Sequence, residues 1–203
     1  MSAPRLLVDG FTLVGPDDWL QLPVEPLPED SAEAVLLQVV REQRPDAPEA
    51  GEVDLAQLAA VQREVAARTA QALAVWLPAD AAPAVAGAGV VELLLPEAGG
   101  VPAWEDLVAA VADEPPAPGS SRQWRTVHVL DDVPWGEVVM AHEVASADGA
   151  PLEERLTYLG RPHGSDDLLR LAFSTPYLAL SEPFREGAVA LLLHLEVHLV
   201  TDG

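Results

Sequence analysis

Apolar positions recur at helical spacing through much of the first half of the chain, and the period shifts to two in the second. Residues 11–14 and 19–24 read as short strands on either side of Gly15-Pro-Asp-Asp18, a pattern that predicts an N-terminal hairpin. Pro26, Pro28 and Ser31 lead into a helix over 31–44, which the breaker Arg44-Pro-Asp-Ala-Pro48 ends. The longest helical pattern covers 52–76, where Leu55, Leu58, Val65, Leu73 and Trp76 recur on one stripe that Gln62 and Thr69 complete. Its start is acidic, with Glu52 and Asp54 placed where a helix N-terminus favours negative charge. A buried strand over 89–95 and a short helix over 104–112 follow. The proline-rich stretch 114–121 is a linker candidate whose length fits a surface loop.

Beyond it, strands over 123–130 and 137–144 flank Asp131-Asp-Val-Pro-Trp-Gly136, and strands over 154–160 and 168–174 flank Arg161-Pro-His-Gly-Ser-Asp-Asp167. With each hairpin symmetric about its loop, Leu156 faces Leu171 and Tyr158 faces Leu169, giving one wholly apolar face. In the other hairpin, Val127 and Val129 share a face with Val138 and Met140.

A helix over 179–199 closes the chain, with Ser181 as candidate N-cap and Pro183 in the first turn. On a helical wheel Phe184, Ala188, Leu191, Leu195 and Leu199 form one apolar stripe. Val189, Leu193, Val197 and Val200 form a second on the far side, covered either by other parts of the chain or by a partner. The fold class these elements predict is α+β: an antiparallel meander flanked by helices, with a long C-terminal helix packed on the sheet, in a single domain spanning 1–203.

Composition narrows the function classes. The 203 residues include no Cys, so disulfides, thiolate catalysis and Cys-based metal sites are excluded. All 11 basic residues are arginine, and Lys, Asn and Ile are absent, as a high-GC bacterial genome would produce. Against these stand 33 acidic residues, for a formal net charge of −22. Such a field repels nucleic acid and anionic membranes and favours basic partners or plain solubility. Without a signal-peptide layout or a membrane-length apolar run, the expected compartment is the cytoplasm.

Candidate chemistry is sparse. His194 and His198 are four residues apart, but Glu196 projects to the opposite flank of the predicted helix and no third ligand has suitable spacing, so no metal is expected. Ser174-Thr-Pro176 lacks the nucleophile elbow, and Ala86-Gly-Ala-Gly89 precedes a strand rather than a helix. Ala98-Gly-Gly-Val-Pro102 precedes a helix without the Lys or Ser/Thr of a phosphate loop. The acidic pairs Asp17/Asp18, Asp131/Asp132 and Asp166/Asp167 sit in turns, where Asp is favoured for backbone reasons. Arg161 and His163 belong either to a solvated loop or to a small positive spot, and Trp135 is either folded onto the core or a contact residue.

Asp18-Trp-Leu-Gln-Leu-Pro23 early in the chain, and Leu168-Leu-Arg-Leu-Ala-Phe-Ser-Thr-Pro176 before the last helix, resemble the PsbP-like fold superfamily. That resemblance implies a non-catalytic accessory or binding protein working through protein contacts, with no catalytic residue to carry over. The expected function is therefore a non-enzymatic protein-binding module, without cofactor, acting through an apolar patch on an acidic surface. Its contact residues are Val189, Leu193, Val197 and Val200, with Trp135, and its partner is another protein or a second copy. Two alternatives stay open: an acidic immunity or chaperone protein neutralising a basic effector, and an enzyme using His128, His142 or His163 with nearby carboxylates.

Overall fold

The structure, a computed structural model, describes residues 6–45, 53–78, 84–94, 102–147 and 149–201. The glycine-rich stretch 98–101 and most of the breaker after Arg44 lie outside them. Chain order is β1 (Leu6–Thr12), β2 (Trp19–Leu22), α1 (Ala32–Gln43), α2 (Leu55–Ala66), β3 (Ala72–Trp76), β4 (Gly87–Leu94), α3 (Trp104–Asp113), β5 (Ser120–Leu130), β6 (Gly136–Ala147), β7 (Glu153–Pro162), β8 (Leu168–Thr175), α4 (Ser181–Leu193) and β9 (Glu196–Thr201). The fold is α+β, as the sequence predicts. Seven antiparallel strands pair in the order β2-β3-β4-β8-β7-β6-β5, and β1 pairs with β9 in a separate two-stranded ribbon.

Two cores lie on opposite faces of the large sheet. On one, α4 packs Phe184, Ala188, Leu191 and Leu192 against Trp19, Trp76, Tyr158 and Phe173, and the β1–β9 ribbon adds Val8, Phe11 and Val197. On the other, α1 and α2 set Leu36, Val40, Leu58 and Val65 over Leu20, Leu22, Leu73 and Val75. Burial of these apolar side chains is the main driving force for the arrangement. Asp54 caps α2 by accepting the Gln57 N–H at 2.9 Å. Gln62, on the predicted stripe, is buried because its Nε2 donates to the Glu25 carbonyl at 2.6 Å.

Several expected elements differ. The N-terminal hairpin does not form: β1 pairs with β9 and β2 with β3, so Gly15–Asp18 connects two sheets. The helix expected over 52–76 ends at Ala66, and its last residues are β3. This strand is buried on both faces, Leu73 and Val75 under α1 and α2 and Ala74 and Trp76 under α4, so its sequence shows no alternation. The closing helix packs on the sheet but stops at Leu193, not at 199. From Glu196 the chain is extended, and Val197 and Val200 belong to β9 rather than to a helix face.

The hairpin registers also shift. Tyr158 pairs with Leu171 and Leu156 with Phe173, two residues from the expected partners, so the apolar face is preserved. In the β5–β6 hairpin Leu130 pairs with Val138, and Val127 and Val129 oppose Ala141 and Val139. That shift of one moves Val138 and Met140 to the α4 face, away from Val127 and Val129. Asp132, at φ 63°, helps the intervening loop close with an odd number of enclosed residues.

Candidate functional site

The two helical layers leave part of the sheet uncovered. On the α1–α2 face, the register aligns Val127, Ala141, Thr157, Ala172 and Val90 in one row across β5, β6, β7, β8 and β4. The neighbouring row runs Arg125, Glu143, Arg155, Ser174 and Ala88. Helix α2 stands along one side of these rows, and α3 with the loop that follows it stands on the other. Because Ala141, Thr157 and Ala172 are small, the floor between the walls is low, and a cleft of about 590 Å³ opens there. Binding sites for small molecules are commonly of this size and shape.

Charge in the cleft contrasts with the rest of the molecule. Among the described residues five arginines line it, Arg68, Arg122, Arg125, Arg155 and Arg170, beside four glutamates, Glu64, Glu114, Glu143 and Glu153. Glu143 is the hub, accepting from Arg122 Nε at 2.9 Å and Arg125 Nη1 at 3.1 Å, with Arg155 Nη1 at 3.8 Å. Arg122 Nη1 also donates to the Glu114 carbonyl at 2.9 Å. Arg125 Nη2 donates to the Val111 carbonyl at 2.6 Å and to the Glu114 carboxylate at 2.9 Å. These two arginines therefore fasten α3 and residue 114 of the expected linker onto the sheet. Residues 114–119 form the short connection from α3 to β5. With only 9% of its side chain exposed, Arg125 is held rigidly, and its buried Nε has no acceptor among the described residues. On the opposite wall Arg68 pairs with Glu64 one helical turn back.

Arg155 and Arg170 are less committed. Among the described residues Arg155 makes one hydrogen bond, Nε to Glu153 at 2.8 Å, and Arg170 makes one, Nη1 to Glu92 at 3.2 Å. A guanidinium carries five N–H donors in a planar fork, so most donors on both are available to a ligand.

The contact and histidine candidates singled out from sequence are not at this cleft, although Gly87, Ala88, Ser174 and Pro176, from the two motifs set aside as non-catalytic, line it. Trp135 is buried in the α4 core with 7% exposure, which corrects its reading as a contact residue. Val189 and Leu193 are exposed on α4, Val200 is exposed on β9, and Val197 is half-buried against the α4 core, so the four do not form one continuous stripe. His198 Nε2 lies 3.0 Å from Thr12 Oγ1 across the ribbon, while His194 terminates α4, so the two do not share a helix face. Among the described residues no group of three or more His, Asp or Glu is placed to hold a metal ion.

His142 is buried on the α4 face, its Nε2 2.6 Å from Glu154 Oε1 and its ring 4.5 Å from the Trp124 ring. His163 follows Pro162, which pairs with Gly136 six residues before His142, about 20 Å away along an extended strand. His128 lies exposed opposite Met140, and none of the three lines the cleft. Arg161, expected in a solvated loop, instead belongs to β7, where it donates to the Pro102 carbonyl at 2.8 Å and lies over the Trp104 ring.

Sequence reasoning missed the cleft. One signal was available: arginines at strand positions 125, 155 and 170, in a chain where basic residues are scarce. Only the pairing of β5 through β8 places them on one face.

No protein-family model matches the chain, and no curated protein matches it by sequence. Among solved structures it is similar to LpqN involved in cell envelope biogenesis of Mycobacterium tuberculosis, at 11% identity and a TM-score of 0.45. The match covers 97% of this chain and 86% of that one. Among the described residues, no helix is long and apolar enough to cross a membrane.

Proposed function

We propose that this protein is a non-enzymatic binding module whose binding element is the cleft between α2 and α3. The observation that supports this reading most directly is the floor of small residues, Ala141, Thr157 and Ala172, beside a wall that Arg122 and Arg125 fasten to the sheet through Val111 and Glu114. A sheet face that served only as core would carry large side chains under a helix, as the α4 face does. Non-enzymatic binding is also the mode that the PsbP-like resemblance implies. Among the described residues the cleft lining contains no histidine, and the buried His142–Glu154 pair lies on the other face of the sheet.

Fragment screening by two-dimensional amide NMR tests the reading. Perturbed amides should cluster at Ala88, Ala141, Thr157 and Ala172. A second reading, contact with another protein through the apolar surface, has the exposed Val189 and Leu193 in its favour. Perturbations confined to α4 would transfer the proposal to that surface.

A further inference from the structure

We infer that the cleft takes a small anionic amphipath, with a carboxylate or phosphate head on Arg155 and Arg170 and an apolar body running under α2. This rests on the cleft being the binding site. Arg155 stands opposite Ser174, and Arg170 lies four residues from Ser174 on β8, so the two residues occupy the rows on either side of the Thr157–Ala172 pair, Arg155 leaning towards Glu153 and Arg170 towards Glu92. Arg122 and Arg125 act as scaffold, spending their donors on Glu143, Glu114 and α3, whereas Arg155 and Arg170 each keep most donors free of protein acceptors among the described residues. Arg122 and Arg125 both donate to Glu143 Oε2, whereas Arg155 Nη1 stands 3.8 Å from Oε1, beyond hydrogen-bond distance, so that end of the Arg155 fork has room for an incoming anion.

The body of the ligand follows from the rest of the floor. From Ala172 the row continues to Val90, and Val61, Val65 and Val85 overhang it from α2 and the segment before β4. Val65, Val85 and Val90 are already buried in the α1–α2 core, so the apolar surface beside the charged end is that of the half-buried Val61, Ala88 and Ala172. Two features argue that the arginines select by direct contact. The net charge of −22 repels any anion at a distance, so attraction arises only where the guanidiniums face the ligand at close range. The planar fork also matches carboxylate and phosphate oxygens in pairs.

Titration calorimetry of the full chain with octanoate, octyl phosphate, 1-octanol and inorganic phosphate tests this. Octanoate or octyl phosphate should bind one per chain, and the preference between them identifies the head as carboxylate or phosphate. Arg155→Gln and Arg170→Gln should each weaken that binding about ten-fold or more, the loss of one charge-assisted contact. The Arg170 side chain is 46% exposed, so its variant tests recognition without endangering the fold, and the exposed Arg41→Gln on α1 is the control. Inorganic phosphate binding as tightly as octyl phosphate would remove the apolar body from the proposal. If 1-octanol binds as tightly as the anions and Ala172→Trp blocks it, the anionic class is wrong while the cleft stands as the site. If no compound binds, the anionic amphipath is wrong, and the fragment screen decides the cleft separately: perturbations at Ala88, Ala141, Thr157 and Ala172 keep it as the site, and none there overturns it as well.

Discussion

Trp135 Nε1 donates to the backbone carbonyl of Leu192 at 2.9 Å, tying the β5–β6 loop to the last turn of α4. The indole is almost wholly buried, and its ring fills the space that a side chain on Gly160 would need. A residue that looked available for contact thus closes the core, because its one polar atom reaches a carbonyl at the helix C-terminus that otherwise accepts the long 3.4 Å bond from the Leu195 N–H. Trp135→Ala should cost about 3–5 kcal/mol in urea denaturation. Leu193→Asp, on the exposed face of the same turn, should stay within about 0.5 kcal/mol.

Strand β9 makes its own test. Val197 packs against the α4 core and Val200 does not. Val197→Asp should therefore lower stability by about 2 kcal/mol or more, through burial of an unpaired charge, with Val200→Asp near neutral in the same assay. Equal losses at both positions would contradict the two-residue alternation of β9.

Gly187, inside α4, lies so close to the Trp19 indole nitrogen that a Cβ would overlap it. Glycine to alanine within a helix ordinarily stabilises by about 1 kcal/mol. Here the change should destabilise by about 1–3 kcal/mol, because Trp19 is wedged among Trp76, Phe173 and Phe184 and cannot retreat. Thermal denaturation of Gly187→Ala, with near-ultraviolet circular dichroism to follow the indole, reads both effects.

Removing Glu143 leaves the Arg125 guanidinium, buried and held by α3, without its cross-strand carboxylate. Glu143→Ala should cost about 2–4 kcal/mol, the larger part from an almost buried charge left with only the exposed Glu114 carboxylate as its counterion. Replacing both residues with apolar side chains should recover much of that loss. A double-mutant cycle in guanidinium chloride measures it.

The Tyr158 hydroxyl is buried without a partner among the described residues, and burial pushes its phenol well above the ordinary value of 10.0. The raised pKa means that the unfolded state releases this proton first. Tyr158 thus leaves stability intact below about pH 10 and erodes it as the pH rises further. Tyr158→Phe should be neutral or up to about 1 kcal/mol more stable at pH 7, and its alkaline loss of stability should be shallower. Denaturation curves at pH 7 and pH 11 compare the two proteins.

Much of the fold was legible along the chain. Alternation in 154–160 and 168–174 identified β7 and β8 and their apolar face, because a half-buried strand writes its two environments into alternate residues. Proline and serine signals placed α1, and Asp54 marked the start of α2. What escaped were segments whose environment is set by distant partners. Residues 72–76 lie between two helical layers and carry no period, so only their pairing with β2 and β4 distinguishes them from a continuing helix.

Residues 196–201 have no glycine or proline to separate them from α4, and they are extended because β1, nearly 190 residues earlier, supplies their hydrogen bonds. The cleft escaped for the same reason. Local order determined that Arg125, Arg155 and Arg170 sit on strands with alternating faces. Which faces coincide depends on register, and a one-residue shift in the β5–β6 hairpin exchanges them. Local propensity therefore settled the class of the fold and the identity of most strands, while long-range pairing placed the arginines together over a floor of small side chains.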